Sequence, residues 1–137
     1  MKKIYLSIFF VFSISLLFTQ KSEEKDLKAL MKELGYSWSE TKSVKLREGE
    51  SAYFWRTFYS GNDYAILAFS ENSNVYDLDL HIYDKEGSLI DKSITDAGFE
   101  MIEFTQSDTK QVKIVINNYK CSPDQVVYKC KFMIFYK

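Results

Sequence analysis

The chain has 137 residues, which is enough for one compact domain and too few for a second of ordinary size. Its 18 basic residues nearly balance its 19 acidic ones, so it lacks the cationic surface that nucleic-acid binding requires. One His, two Cys and five Gly leave little material for a nucleophilic triad, a zinc cluster or a phosphate-binding loop, and we expect no enzyme activity.

Residues 1 to 20 have the pattern of a secretory signal peptide. Lys2 and Lys3 precede an apolar run over residues 4 to 18. About 15 apolar residues are too few for a transmembrane helix, which needs roughly 20. No cysteine lies near residue 20 for lipid attachment. We therefore expect cleavage between Thr19 and Ser22 and a secreted or periplasmic product with no stable membrane insertion after cleavage.

The segment that follows predicts one amphipathic helix over residues 22 to 34, with Gly35 as its stop signal. Its apolar positions at helical spacing are Leu27, Leu30, Met31 and Leu34. We assign residues 21 to 40 to this helix and a connector. We expect the helix to cover an open sheet edge or one face of the domain that follows.

Beyond residue 40 the apolar residues alternate with period two, and turn signals recur about every 10 to 20 residues. The predicted strands lie near residues 42–47, 51–59, 63–70, 77–84, 88–94, 99–105, 111–119 and 126–136. Seven or eight short strands without interleaved helices predict a mostly β protein, an antiparallel β-sandwich over residues 41 to 137.

Cys121 and Cys130 are the two cysteines of the chain. Because an exported protein meets an oxidising compartment, we predict a structural disulfide between them. Such a bridge closes a loop of about ten residues and contributes roughly 2 to 3 kcal/mol by the chain-entropy estimate. The spacing differs from the two-residue spacing of redox-active pairs, which argues against a catalytic role.

Acidic residues in and after the predicted strand at residues 77–84 suggest a metal site. Alternation places the apolar side chains of this strand toward the core and the polar ones on the opposite face, and Asp84 follows closely. The core side is Leu78, Leu80 and Ile82, and the opposite side is Asp77, Asp79, His81 and Tyr83. The carboxylates of Asp77, Asp79 and Asp84 are hard oxygen ligands of the kind that Ca²⁺ prefers, and a loop acid such as Asp63 or Glu71 could complete the set. The alternative is that these acids cap turns and solvate an outer face.

The same strand face also carries His81, which next to Asp79 suggests zinc. Because the chain has no second imidazole to complete such a set, zinc is a weaker candidate than calcium. Ca²⁺ is therefore the one candidate cofactor.

Aromatic residues are concentrated between residues 53 and 64. Tyr53, Trp55, Tyr59 and Tyr64 could form a platform for sugar rings or peptide side chains, since flat amphipathic rings give contact area at little entropic cost. Ordinary core packing is the alternative and the expectation for most of them, because Phe54 and Phe58 make the opposite strand face apolar as well.

Three pieces of the sequence resemble a known family. Residues 58 to 64 (FYSGNDY), 76 to 84 (YDLDLHIYD) and 86 to 90 (EGSLI) are similar to the strand and Gly turn, the Asp-x-Asp-Leu strand and the Gly hairpin of the bacterial pre-peptidase C-terminal domain family. The resemblance implies a small jelly-roll-like sandwich that serves as a non-catalytic accessory or binding module, sometimes with calcium.

These inferences predict a secreted or periplasmic, non-catalytic binding module that recognises a surface polymer or a protein. Its partner is expected to be a carbohydrate or a protein and not a nucleic acid. The alternative is a periplasmic or secreted inhibitor of an exported hydrolase, because the chain is small, is exported and carries the predicted disulfide.

Overall fold

The computed structural model describes residues 24–137. The predicted signal peptide lies outside this range. The elements, in chain order, are helix α1 (Glu24–Glu33) and strands β1 (Ser37–Leu46), β2 (Ser51–Phe58), β3 (Asp63–Phe69), β4 (Val75–Tyr83), β5 (Leu89–Ser93), β6 (Phe99–Thr105), β7 (Lys110–Cys121) and β8 (Tyr128–Tyr136). Over the described residues, no helix has both the length and the apolar character needed to cross a membrane.

The eight strands form two four-stranded antiparallel sheets. Sheet A has the order β1-β8-β3-β6, and sheet B has the order β2-β7-β4-β5. This interleaving of early and late strands is the jelly-roll arrangement, so the predicted mostly β, jelly-roll-like sandwich is confirmed. Strand β1 begins at Ser37 rather than near residue 42, which leaves only a short connector after the helix.

The main core lies between the two sheets, where alternate residues of each strand point inward. Leu78, Leu80 and Ile82 of β4 are fully buried there, as the alternation predicted. On β7, Val112, Ile114 and Ile116 are also fully buried in the main core. Strand β7 lies between β2 and β4, so its continuous apolar stripe reflects a central position in sheet B.

A second core lies on the outer face of sheet A, under helix α1. Leu27 and Met31 of the helix are fully buried against the sheet residues Ala65, Leu67, Phe69, Phe99, Met101, Met133 and Phe135. The helix ends before Gly35, whose φ of 86° lies in the left-handed region that favours glycine. The structure therefore confirms that the helix covers one face of the sandwich.

Polar contacts fasten the start of α1 to sheet A. The Glu24 carboxylate accepts a hydrogen bond from the Thr41 hydroxyl at 2.9 Å and forms an ion pair with Lys131 at 3.2 Å. Lys131 also pairs with Glu71 at 3.1 Å. The hydrogen bond from Lys28, followed by those from Thr41 and Lys131, lowers the pKa of Glu24 to about 2. Glu24 is therefore ionised at neutral pH and holds the helix in place.

The predicted disulfide is not formed in the structure. Cys121 and Cys130 are free thiols, both buried in the main core. They come from different sheets, because Cys121 ends β7 in sheet B and Cys130 lies within β8 of sheet A. Each sulfur instead lies near a backbone carbonyl, that of Pro123 at 3.7 Å and that of Tyr128 at 3.8 Å. Burial, and next the neighbouring Cys121, raises the pKa of the Cys130 thiol to about 12.

Candidate functional site

The two sheets differ in what covers their outer faces. The described residues contain one helix, and it packs on sheet A, so the outer face of sheet B is left open. Tyr53 is 60% exposed there and Trp55 is 46% exposed. Large aromatic side chains at this exposure on a sheet face are the pattern of an interaction surface.

The pairing of β2, β7, β4 and β5 assembles this surface from residues far apart in the chain. Tyr53 lies opposite Val115, and Val115 lies opposite His81. In the next row, Trp55 lies opposite Lys113, and Lys113 lies opposite Tyr83. We call the six side chains of these two rows the sheet B platform: Tyr53, Trp55, His81, Tyr83, Lys113 and Val115.

The platform is held together by contacts between neighbouring side chains. The Lys113 ammonium lies 4.4 Å from the centre of the Tyr53 ring, in a cation–π contact. The rings of His81 and Tyr83, two residues apart on β4, are nearly parallel, with centroids 6.1 Å apart and an interplanar angle of 15°. These two contacts order four of the six platform side chains.

A groove of about 350 Å³ lies at one end of the platform. Its platform residues are Trp55, Tyr83 and Lys113, and the turn between β4 and β5 supplies residues 84 to 87. The Asp84 carboxylate accepts hydrogen bonds from the backbone amides of Glu86 and Ser88, each at 2.9 Å. Asp84 therefore holds the turn in shape and forms one wall of the groove.

The predicted aromatic residues divide between surface and core. Tyr53 and Trp55 are exposed on the platform, contrary to the expectation of core packing, and Tyr59 is 60% exposed just beyond β2. Tyr64 is only 3% exposed, since it lies in β3 of sheet A and its ring packs against Phe58 in the main core. Its hydroxyl accepts a hydrogen bond from the Tyr59 amide at 3.0 Å. Tyr64 is therefore removed from the candidate binding residues.

The candidate calcium ligands are not brought together. Asp77 and Asp79 lie near the start of β4, and Asp84 follows its end, so about 16 to 23 Å of extended chain separates them. No group of three or more His, Cys, Asp or Glu side chains among residues 24–137 is placed to hold a metal ion. Asp84 caps the turn instead, as the alternative interpretation proposed.

Asp77 and Asp79 have an environment that disfavours their charge. Asp77 is 8% exposed, and its Oδ1 atom has no hydrogen-bond partner. Burial, and next the charges of Asp79 and Asp96, raises the pKa of Asp77. Burial also raises the pKa of Asp79, against the opposing effect of His81. His81 and Asp79 are neighbours as the zinc hypothesis required, but no third ligand joins them among the described residues.

Sequence reasoning missed Lys113, Val115 and the groove. Alternation placed His81 and Tyr83 on the outer side of β4 but could not show which strands flank it. The available signal was that Lys113 and Val115 occupy the non-core positions of β7, between the buried Val112, Ile114 and Ile116. Only the order β2-β7-β4 places these positions between the rings of Tyr53 and Trp55 and those of β4.

The fold of this chain is similar to the folds of known proteins. No family model matches the chain, and no curated protein matches it. Among solved structures, the chain is similar to a periplasmic inhibitor of g-type lysozyme from Aeromonas hydrophila. The two are 7% identical, the match covers 72% of this chain and 85% of that one, and the TM-score is 0.51.

The chain is also similar to the pre-peptidase C-terminal domain of a collagenase from Bacillus anthracis. That match has 8% identity, covers 69% of this chain and 88% of the domain, and has a TM-score of 0.48. At these identities the likeness concerns the fold alone.

Proposed function

We propose that this chain is a secreted or periplasmic, non-catalytic binding module, and that the sheet B platform is its binding surface. The observation that carries the proposal is the exposure of Tyr53 and Trp55 in the two adjacent rows of the platform, on the sheet face that helix α1 leaves open. Rings held in this way offer a partner a large contact area with little loss of side-chain entropy.

One carboxylate at the groove has a structural role. Asp84 accepts the two amide hydrogen bonds that shape the turn, whereas Glu86 is exposed and lies 3.9 Å from the ammonium of its chain neighbour Lys85. Exposed ring faces and a lysine beside this turn favour recognition of a partner.

Cosedimentation tests this proposal. The purified chain is mixed with insoluble polysaccharides and peptidoglycan, and separately with immobilised exported hydrolases, and the bound fraction is measured. We expect binding to at least one of these, lost in the double variant Tyr53→Ala/Trp55→Ala. The control is Tyr136→Ala, since Tyr136 is 42% exposed but lies in sheet A. Equal binding by the double variant, or turnover of a substrate, would contradict the proposal.

Inhibition of an exported hydrolase is a second candidate. It is favoured by the likeness to the Aeromonas lysozyme inhibitor, which has a similar fold and is periplasmic by its description. If this chain acts in the same way, a molar excess of it slows the lysis of peptidoglycan by a g-type lysozyme. An unchanged rate over a titration of the chain removes this candidate and leaves the binding-module proposal standing.

A further inference from the structure

We propose that the groove beside Trp55 binds a sugar unit that carries a carboxylate, as part of an acidic polysaccharide. In this arrangement the sugar ring stacks on Trp55, and its carboxylate pairs with Lys113. The inference rests on the proposed function, because it names the ligand class of the same surface.

The first argument is the position of Lys113 between two rings. The register places Trp55 and Tyr83 on either side of Lys113, one strand away in each direction. Adjacent strands are about 5 Å apart, so the backbone positions of the two rings are separated by about 10 Å. Lys113 occupies the middle of this span, so a pyranose ring stacked on the exposed Trp55 ring lies within reach of the Lys113 side chain.

The second argument is charge. Lys113 contacts the Tyr53 ring and has no carboxylate partner within the part of the chain that the structure describes. The charged lining of the groove is two lysines, Lys85 and Lys113, and two acids, Asp84 and Glu86. Asp84 is hydrogen-bonded to two amides of its own turn, and Glu86 lies 3.9 Å from Lys85. Lys113 is therefore the lining lysine without an ion pair among the described residues, and a bound anion would supply its partner.

A second cation extends the site along the sheet. Lys92 of β5 lies opposite His81, at the far end of the row that begins with Tyr53. It has no ion pair among residues 24–137 and is exposed. If a polymer with a carboxylate on each sugar starts in the groove and extends across the platform, the carboxylate of another sugar unit comes near Lys92. The arrangement thus suits a repeating acidic chain better than a single sugar acid.

The composition of the groove favours a glycan over a protein. The cores of protein–protein interfaces are depleted in Lys, Asp and Glu. Here Lys85, Lys113, Asp84 and Glu86 make up four of the seven residues that line the groove. Sugar rings present an apolar face and a rim of hydroxyl groups, which match an aromatic wall beside charged hydrogen-bonding side chains. An acidic peptide is the competing ligand and is included in the test.

The test uses hexagalacturonate as the acidic oligosaccharide, with its full methyl ester as the matched neutral ligand and hexaglutamate as the acidic peptide. Binding to the full chain is measured by isothermal titration. We expect hexagalacturonate to bind at least about tenfold more tightly than its ester, with affinity falling as salt rises. Lys113→Met keeps the alkyl part of the side chain and loses the charge. It should lower the affinity for hexagalacturonate by about tenfold and leave the affinity for the ester unchanged.

Two further variants separate the site from general charge attraction. Trp55→Ala should lower the affinity for both oligosaccharides. The control is Lys45→Met, since Lys45 is exposed on β1 of sheet A, and it should change neither affinity. Equal affinity for acid and ester, unchanged binding by Lys113→Met, or hexaglutamate binding as tightly as hexagalacturonate would overturn the inference. If none of the oligosaccharides binds but the Tyr53→Ala/Trp55→Ala variant loses a partner in cosedimentation, the inference fails and the proposed function stands. If that variant loses nothing, both fail.

Discussion

Replacing Leu27 by alanine tests whether helix α1 is part of the folded unit. Leu27 is fully buried between the helix and the outer face of sheet A, where Leu67, Phe69 and Phe135 also belong to the second core. The substitution removes three carbon atoms, which at about 0.8 kcal/mol each amounts to roughly 2.4 kcal/mol of lost burial. The cavity left behind raises the expected loss to about 3 to 4 kcal/mol.

This loss is large compared with the stability of a small domain, which is typically about 5 to 15 kcal/mol. Urea unfolding followed by circular dichroism should show a lower midpoint with an unchanged slope, because the surface exposed on unfolding stays nearly the same. The melting temperature should fall by about 10 to 15 °C. The matched control is Lys25→Ala in the same helix, since Lys25 is exposed, and it should change the stability by less than about 0.5 kcal/mol.

A loss below about 1 kcal/mol for Leu27→Ala would refute this reasoning. It would mean that the helix unfolds separately from the sandwich and that the second core adds little to the global free energy of unfolding. Two resolved transitions in the wild-type chain would lead to the same conclusion.

Three further predictions follow from single contacts. Because the hydrogen bond with Lys28 helps to lower the pKa of Glu24 to about 2, from an ordinary value of 4.5, ionised Glu24 stabilises the fold above pH 4.5 and loses this effect as the pH falls toward 2. The difference in unfolding free energy between wild type and Glu24→Gln, measured in urea, should therefore shrink as the pH is lowered from 6 to 3. A difference that stays constant would contradict this role of ionised Glu24. Burial raises the pKa of the Cys130 thiol to about 12, so the native protein at pH 8 should resist alkylation by iodoacetamide for hours. The protein unfolded in urea should be alkylated, as measured by mass spectrometry. Rapid alkylation of the native protein would show that the thiol is accessible. Finally, Gly98→Ala would place a Cβ atom 2.7 Å from the Val75 carbonyl oxygen and should cost about 1 to 3 kcal/mol in thermal melts, and an unchanged melting temperature would show that the backbone there relaxes freely.

The strands could be predicted because one-sided burial leaves a period of two in the sequence. Leu78, Leu80 and Ile82 were assigned to the core from alternation alone, and all three are fully buried. The helix was predictable for the same reason, since Leu27 and Met31 lie on one helical face and both are fully buried. Such patterns are local, so they do not depend on which strands pair.

The candidate sites were harder to predict, because they depend on distances between strands. Asp84 is close to Asp79 in sequence, but an extended strand carries it away from that carboxylate. For Asp84, closeness along the chain was taken for closeness in space. Cys121 and Cys130 both lie in the main core, on strands of different sheets, and no disulfide joins them there.

The sequence by itself determined the fold class, the approximate strand positions, the inward face of β4 and the presence of an amphipathic helix, because hydrophobic periodicity and turn residues are local features of the sequence. The tertiary structure alone decided which faces stay open. Helix α1 packs on sheet A rather than sheet B, and the order β2-β7-β4 brings Trp55, Lys113 and Tyr83 side by side. That juxtaposition arises from hydrogen bonds between strands distant in the chain, and no local pattern specifies it.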